Sequence, residues 1–224
     1  ATLNVQAGTV GAQFLLNIAG AGGADLIAGG AGADTLLGVG GADTINGGMG
    51  NDTITGGTGA DNLTGGLGAD TFRFSNADGS AAINGVVGNF AGFDQVTDFT
   101  TAQGDRVALN SATIVLAGIA APAATVADVA TTTFDANGAV GVARITGATA
   151  ADLTNLANVI AAIGAINNET IGESAYFIVN NLAGTQSGIY AFTSVAAANT
   201  ITANELTLIG VTTGTVALAD LVTF

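Results

Sequence analysis

The chain has 224 residues and carries 17 acidic side chains against 3 basic ones, for a formal charge of -14. That balance excludes the partners that want basic patches, nucleic acid and anionic membrane surfaces. With no Cys and no His, disulfides, thiol catalysis and the common catalytic triads are excluded as well.

The length suits one large or two small domains. No basic segment followed by an apolar one opens the chain, so no N-terminal signal peptide is predicted. From residue 20 to 73 a nine-residue unit repeats six times in phase: GAGGADLIA, GGAGADTLL, GVGGADTIN, GGMGNDTIT, GGTGADNLT and GGLGADTFR. Each unit sets one aspartate at the same place (Asp25, Asp34, Asp43, Asp52, Asp61, Asp70) and an apolar residue two positions on (Ile27, Leu36, Ile45, Ile54, Leu63, Phe72). Glycine tolerates the sharp turn that one half of the unit needs. The other half is short and β-prone, and alternation turns its apolar residue inward. A flexible linker has no reason to keep acid and apolar residue in phase. The sequons at Asn51 and Asn62 follow from the repeat itself.

A turn and a strand make half a coil, so residues eighteen apart stack at the strand spacing of about 4.8 Å. Asp25, Asp43 and Asp61 then line one edge, and Asp34, Asp52 and Asp70 the other. Two carboxylates roughly 5 Å apart repel by about 3 kcal/mol at an effective dielectric near 20. One large apolar side chain per unit contributes only about 1.5–3 kcal/mol against this. A hard cation between stacked carboxylates and turn carbonyls reverses the repulsion. The available ligands are all oxygens, which favours Ca2+ over zinc or copper.

These six units resemble RTX repeats, whose pattern is G-G-x-G-x-D-x-U-x with U a large apolar residue. The resemblance implies a right-handed parallel β-roll that binds several Ca2+ ions. It implies that aspartates and the turn glycines Gly23, Gly32, Gly41, Gly50, Gly59 and Gly68 from units two apart share one ion. The pairs are Asp25 with Asp43, Asp43 with Asp61, Asp34 with Asp52, and Asp52 with Asp70. The second glycine is Ala21 in the first unit and Val39 in the third, and those turns are expected to bind more weakly. Upstream, Ile18 keeps the apolar phase but Leu16 stands in the aspartate position, so residues 11–19 read as an uncharged cap.

After Phe72-Arg73-Phe74, residues 75–92 read as a loop. Phe93–Phe99 and Gly104–Leu109 alternate as two strands with a turn near Ala102–Gly104. This is similar to the D-x-I-x-D-F…G-D-x-I-x-L segment that follows the repeats in many RTX exoproteins. The resemblance implies a capping coil, with Asp94, Asp98 and Asp105 as candidate ligands of a last Ca2+. The uncharged stretch Val107–Ala127 is not read as a membrane span, because its bulk is alanine with Asn110, Ser111, Thr113, Pro122 and Thr125 inside it. No transmembrane segment is expected. Residues 111–150 show weak β periodicity, with Asp135-Ala136-Asn137-Gly138 read as a hairpin turn. Leu153, Leu156, Val159, Ile160 and Ile163 are spaced for an amphipathic helix over 150–166, starting at Thr149 or Ala150–Asp152 and ending at Gly164. Strands are expected at Tyr176–Val179, Gly188–Thr193, Leu206–Ile209 and the last apolar run to Phe224, with a hairpin turn at Asn180–Gly184.

The expected fold is all-β: a cap over 1–19, the roll and its capping segment over 20–110, and a β-rich C-terminal region over 111–224 with one short helix. No catalytic site is expected; Gly172-Glu173-Ser174-Ala175-Tyr176 begins like a nucleophile elbow, but Tyr176 replaces the required glycine. The mean hydropathy of +0.56, carried by alanine and other small residues, is a composition associated with bacterial surface-layer proteins. The basic-poor, apolar-ending tail resembles the uncleaved signal of type I-secreted RTX proteins. Together these imply a secreted, extracellular or cell-surface protein of a Gram-negative bacterium. Its implied partners are calcium, the type I secretion apparatus and further copies of itself. Two alternatives stand beside that structural role: the folding and secretion domain of a larger protease or lipase, and the tail of an adhesin.

Overall fold

A computed structural model of the chain describes residues 4–6, 17–75, 92–110, 125–129, 133–135, 140–150, 152–167, 174–195, 201 and 204–224. Eight strands open it: β1 (Asn4–Gln6), β2 (Asn17–Ala19), β3 (Leu26–Ala31), β4 (Thr35–Gly40), β5 (Thr44–Met49), β6 (Thr53–Thr58), β7 (Asn62–Leu67) and β8 (Thr71–Phe74). Odd and even strands form two separate all-parallel ladders. Every repeat pairs with the one eighteen residues on: Thr44 faces Leu26 and Asn62, while Thr53 faces Thr35 and Thr71. That is the roll expected from the period. The six repeat apolar residues, Ile27 to Phe72, are fully buried between the ladders.

The strands run further than their β-prone part. Gly30 pairs with Gly48 and Ala31 with Met49, so the glycine pair assigned to the turn lies in the ladder. The turn itself shrinks to three residues, Gly-x-Asp. The glycine of each such turn, from Gly23 to Gly68, has φ between +117 and +134°. This is backbone that only glycine adopts without strain.

Val39 breaks the rule. Its φ is +86°, where Gly30, Gly48, Gly57 and Gly66 take +101 to +111° in four of the other repeats. A β-branched residue there is strained by about 1–3 kcal/mol, against about 0.5–1 kcal/mol of extra chain entropy that glycine loses on folding. Val39→Gly is therefore expected to stabilise the roll by about 1 kcal/mol, read as a higher urea midpoint at fixed calcium. An unchanged or lowered midpoint would count against strain at this position.

The capping segment adds one rung to each ladder. β9 (Asp94–Val96) pairs with β7, and β10 (Arg106–Leu109) with β8. Residues 76–91, most of the loop read at 75–92, lie outside the described residues. Then follow β11 (Thr125–Val129), β12 (Thr133–Asp135), β13 (Val140–Ala150), α1 (Leu156–Ile163), β14 (Ala165–Asn167), β15 (Ser174–Asn181), β16 (Gln186–Thr193), β17 (Leu206–Thr213) and β18 (Leu221–Thr223). β15, β16 and β17 form an antiparallel meander, with the expected hairpin turn after Asn181. β17 then pairs parallel with β9, and β18 parallel with β10. The C-terminal strands thus complete both ladders of the roll. Nothing in the repeat period forecasts that return.

Two local expectations change. β12 pairs with β14, and β13 with β11 and β15, so the strands on either side of Asp135–Gly138 are not hairpin partners. Residues 136–139 lie outside the described residues. The helix starts later than expected, because Asp152 Oδ1 accepts bonds from the Thr154 N–H and hydroxyl, both at 2.8 Å. This local turn competes with helix, and Asn155 becomes the N-cap. Gly164 ends the helix as expected, at φ +84°.

One hydrophobic core runs from the repeat ladder through Phe74, Val96 and Val107 to Tyr176, Ile178, Ile189 and Ile209. A second, containing Val159, Ile163, Phe177, Val179, Tyr190, Phe192 and Leu208, lies on the opposite face of the same C-terminal strands. Burial on both faces explains why Ala175–Val179 is continuously apolar rather than alternating. Among the described residues no helix is long and apolar enough to cross a membrane.

Candidate metal centre

Each acid sits at the end of its three-residue turn, directly before a strand, so the ladder register also sets the spacing of the acids. The backbone N–H of one aspartate donates to Oδ1 of the aspartate one coil on. Asp25 donates to Asp43 and Asp34 to Asp52 at 2.8 Å, Asp43 to Asp61 at 2.7 Å, and Asp52 to Asp70 at 2.8 Å. All four expected pairs are therefore brought together. The stacks also extend beyond the repeats. The Asp61 N–H donates to Asp94 at 3.0 Å, and the Asp70 N–H to Asp105 at 3.1 Å. Asp94 and Asp105 are thus the fourth members of two four-acid stacks, across chain separations of 33 and 35 residues instead of eighteen.

The other carboxylate oxygens are the informative ones. Oδ2 of Asp43, Asp52, Asp61 and Asp70 is buried and has no hydrogen-bond partner. A buried charged oxygen without a partner costs more than its hydrogen-bonded neighbour returns. A Cβ placed on Gly47 would collide with both Asp52 Oδ2 and the Gly65 carbonyl oxygen; at Gly38 it would meet Asp43 Oδ2 and the Gly56 carbonyl. At Gly20, Gly29, Gly38 and Gly47 a carboxylate oxygen and a carbonyl oxygen from the next coil thus converge on one point, and glycine keeps that point open. The turn carbonyls of Gly23, Gly32, Gly41 and Gly50 likewise face the glycine one coil on. Among the described residues no three acidic groups converge on a single position. A cation here would be held by one or two carboxylates plus carbonyls. That oxygen-only donor set, with its unpartnered oxygens, fits a hard divalent ion.

Electrostatics agree. Burial pushes Asp52 up to about 6 from its ordinary 3.8, with Asp70 and Asp34 adding repulsion and the Asp34 N–H opposing. Asp43, Asp61, Asp70 and Asp105 are also raised, each mainly by burial and each opposed by the N–H it accepts.

Asp98 stands apart from the stacks. Its two oxygens accept the N–H groups of Gly65 and Gly66 at 2.9 and 2.8 Å, clamping the last glycine pair where the next strand residue would pair. Asp105 Oδ2 is also taken, by the Thr100 N–H at 2.8 Å. Two side chains outside the expected set do similar work. Asn51 Oδ1 accepts the Ala69 N–H at 2.9 Å, and Gln103 Oε1 the Gly68 N–H at 3.0 Å. The available signal for Asn51 was its place as the only amide among the turn-centre alanines.

Residues 17–45 and 37–72 match the family model described as RTX calcium-binding nonapeptide repeat (4 copies). Residues 17–72 are RTX calcium-binding nonapeptide repeats by that match. Among solved structures, the chain is similar to two repeat subunits of the mannuronan C5-epimerase of Azotobacter vinelandii. For AlgE6R2 the identity is 17% over 94% of this chain and 92% of that one, at a TM-score of 0.49. For AlgE6R3 it is 21% over 97% and 86%, at a TM-score of 0.37. No curated protein sequence matches the chain.

Proposed function

We propose that this chain is a calcium-dependent structural and secretion module of an extracellular bacterial surface protein. It folds on calcium after type I export and self-associates at the cell surface. The observation that carries the reading is the pair of four-acid stacks, with buried, unpartnered Oδ2 atoms on Asp43, Asp52, Asp61 and Asp70.

Asp25, Asp43, Asp61 and Asp94 would hold the ions on one edge, and Asp34, Asp52, Asp70 and Asp105 on the other. Carbonyls of the turn glycines Gly23, Gly32, Gly41, Gly50, Gly59 and Gly68 would complete the shells. When bound, Ca2+ supplies the positive charge that joins successive coils. The chain does the rest: the ladder sets the spacing, glycine clears the space, and the repeat apolar residues exclude water. Asp98 serves as the backbone clamp at the roll's end, next to the last proposed calcium sites.

Where calcium is scarce, stacked acids repel and a thin core leaves the coils open, a form able to thread a secretion channel. Outside the cell the ion binds only the folded state, so its binding free energy becomes folding free energy. The apolar, basic-poor segment that resembles a type I signal forms β17 and β18 in the folded chain.

A calcium titration followed by circular dichroism tests the central claim. In metal-free buffer the β signal of the roll should be lost, and it should return cooperatively as Ca2+ is added. A full β signal in excess chelator would refute it. Electron microscopy with and without the ion tests self-association, for which ordered assemblies are expected only with calcium.

A further inference from the structure

One outward row of side chains crosses from the roll into the C-terminal sheet. Asn46 on β5 lies opposite Thr64 on β7. The Thr64 and Thr97 hydroxyls are 2.9 Å apart. Thr97 follows β9, and the Thr213 hydroxyl at the end of β17 donates to the neighbouring Val96 carbonyl at 3.3 Å. Thr213 pairs with Gln186 of β16, whose Oε1 accepts from Asn181 of β15 at 3.4 Å. The row thus spans six strands, in steps of about 4.8 Å, without one charged group. At its C-terminal half it forms part of an open cleft of about 430 Å³, with Phe93, Leu153 and Val211 as apolar lining and Asp152 and Thr154 as further polar groups.

The chemistry of this surface is narrow. Hydroxyls and amides both donate and accept hydrogen bonds, and a partly buried aromatic ring beside them offers an apolar platform. Among the described residues no arginine lines the cleft. Asp152 there is held ionised by the Thr154 donors, in a chain of net charge -14. An acidic polymer would be repelled, and an anionic membrane finds no basic contact. A peptide strand would seek an open sheet edge, whereas this row lies on a sheet face.

We propose that the cleft and its row bind a neutral polysaccharide, with a sugar ring against Phe93 and sugar hydroxyls on Thr97, Thr213, Gln186 and Asp152. The site needs a folded roll but is independent of the export reading.

The test uses the full 15N-labelled chain in saturating calcium, titrated with maltoheptaose, cellohexaose and mannohexaose, and with polygalacturonate as the acidic probe. At least one neutral probe should give saturable amide shifts centred on Thr97, Asp152, Gln186 and Thr213. Gln186→Ala and Asp152→Asn should each weaken binding by about three- to tenfold, with the rest of the spectrum unchanged as the control for folding. Asp152 is exposed, so that variant remains informative if Gln186→Ala perturbs the sheet. No saturable shift with any neutral probe, shifts centred elsewhere, undiminished binding in both variants, or tighter binding of polygalacturonate would overturn the proposal.

Discussion

Asp52→Asn is expected to raise the calcium concentration at half-folding about tenfold or more, while stabilising the metal-free protein. Asp52 is flanked by Asp34 and Asp70, and both repel it. Its Oδ2 is buried, has no partner and faces the Gly65 carbonyl. Removing the charge relieves repulsion when the ion is absent and takes a ligand from two successive gaps when it is present. Asparagine keeps an acceptor for the Asp34 N–H, which the parent carboxylate accepts at 2.8 Å. Asp52→Ala removes that acceptor as well and leaves a buried donor unsatisfied, at a further cost of about 1–3 kcal/mol. The difference between the two variants therefore reads the backbone bond, and their shared loss reads the cation. Asp43, Asp61 and Asp70 should behave like Asp52, because each has an acid on both sides. Asp25 and Asp34, each with a stacked acid on one side only among the described residues, should lower calcium stoichiometry less. Calcium titrations followed by calorimetry measure the first effect, and the residual β signal in excess chelator measures the second. If Asp52→Asn left the calcium midpoint unchanged, or lowered the residual β signal in chelator, the carboxylate would be structural rather than a ligand.

Acid should act in opposite directions on the two forms. In the metal-free fold Asp52 is pushed up to about 6, and Asp43, Asp61, Asp70 and Asp105 are raised too, chiefly by burial. In the unfolded chain these groups return to about 3.8. Between those values the folded state binds more protons than the unfolded one, so stability falls as pH rises. These groups penalise the fold at neutral pH. The penalty is relieved as pH drops through about 6 and is gone below about 4. The calcium form carries the reverse slope, because its ligands must be deprotonated and protons compete with the ion. From about pH 7.5 to 4.5 the residual β signal of the metal-free protein should rise and the thermal midpoint of the calcium-loaded protein should fall. Asp52→Asn should flatten the metal-free slope. Parallel slopes in both forms would mean that the stacks are not the groups being titrated.

Much of this was legible in the residue order. A nine-residue period with an acid and an apolar residue in fixed phase forces a two-ladder coil with an eighteen-residue register, since strand alternation and strand spacing leave few other placements for Asp25 and Asp43. The helix ending at Gly164 and the hairpin after Asn181 were readable from local chemistry, because helix spacing, glycine at a cap and an amide-rich turn act over a few residues. The start of that helix was not, since Asp152 had a competing turn with Thr154 available at equally short range.

What composition and period could not supply is how the stacks end. Asp94 and Asp105 join them only because β9 and β10 dock as further rungs across irregular separations, and no periodic signal spans 33 or 35 residues. Asp98 reads like its neighbours in the sequence, yet its oxygens go to the Gly65 and Gly66 amides because the ladder leaves those two donors unmet at that place. The return of β17 and β18 to the roll is likewise a matter of long-range docking. An isolated apolar strand carries no label for its partner, and only shared burial of Phe74, Val107, Ile209 and Leu221 in one core selects it. Short-range spacing was enough to specify a repeating acid ladder; its length, its caps and the use of each terminal carboxylate follow from contacts between segments far apart in the chain.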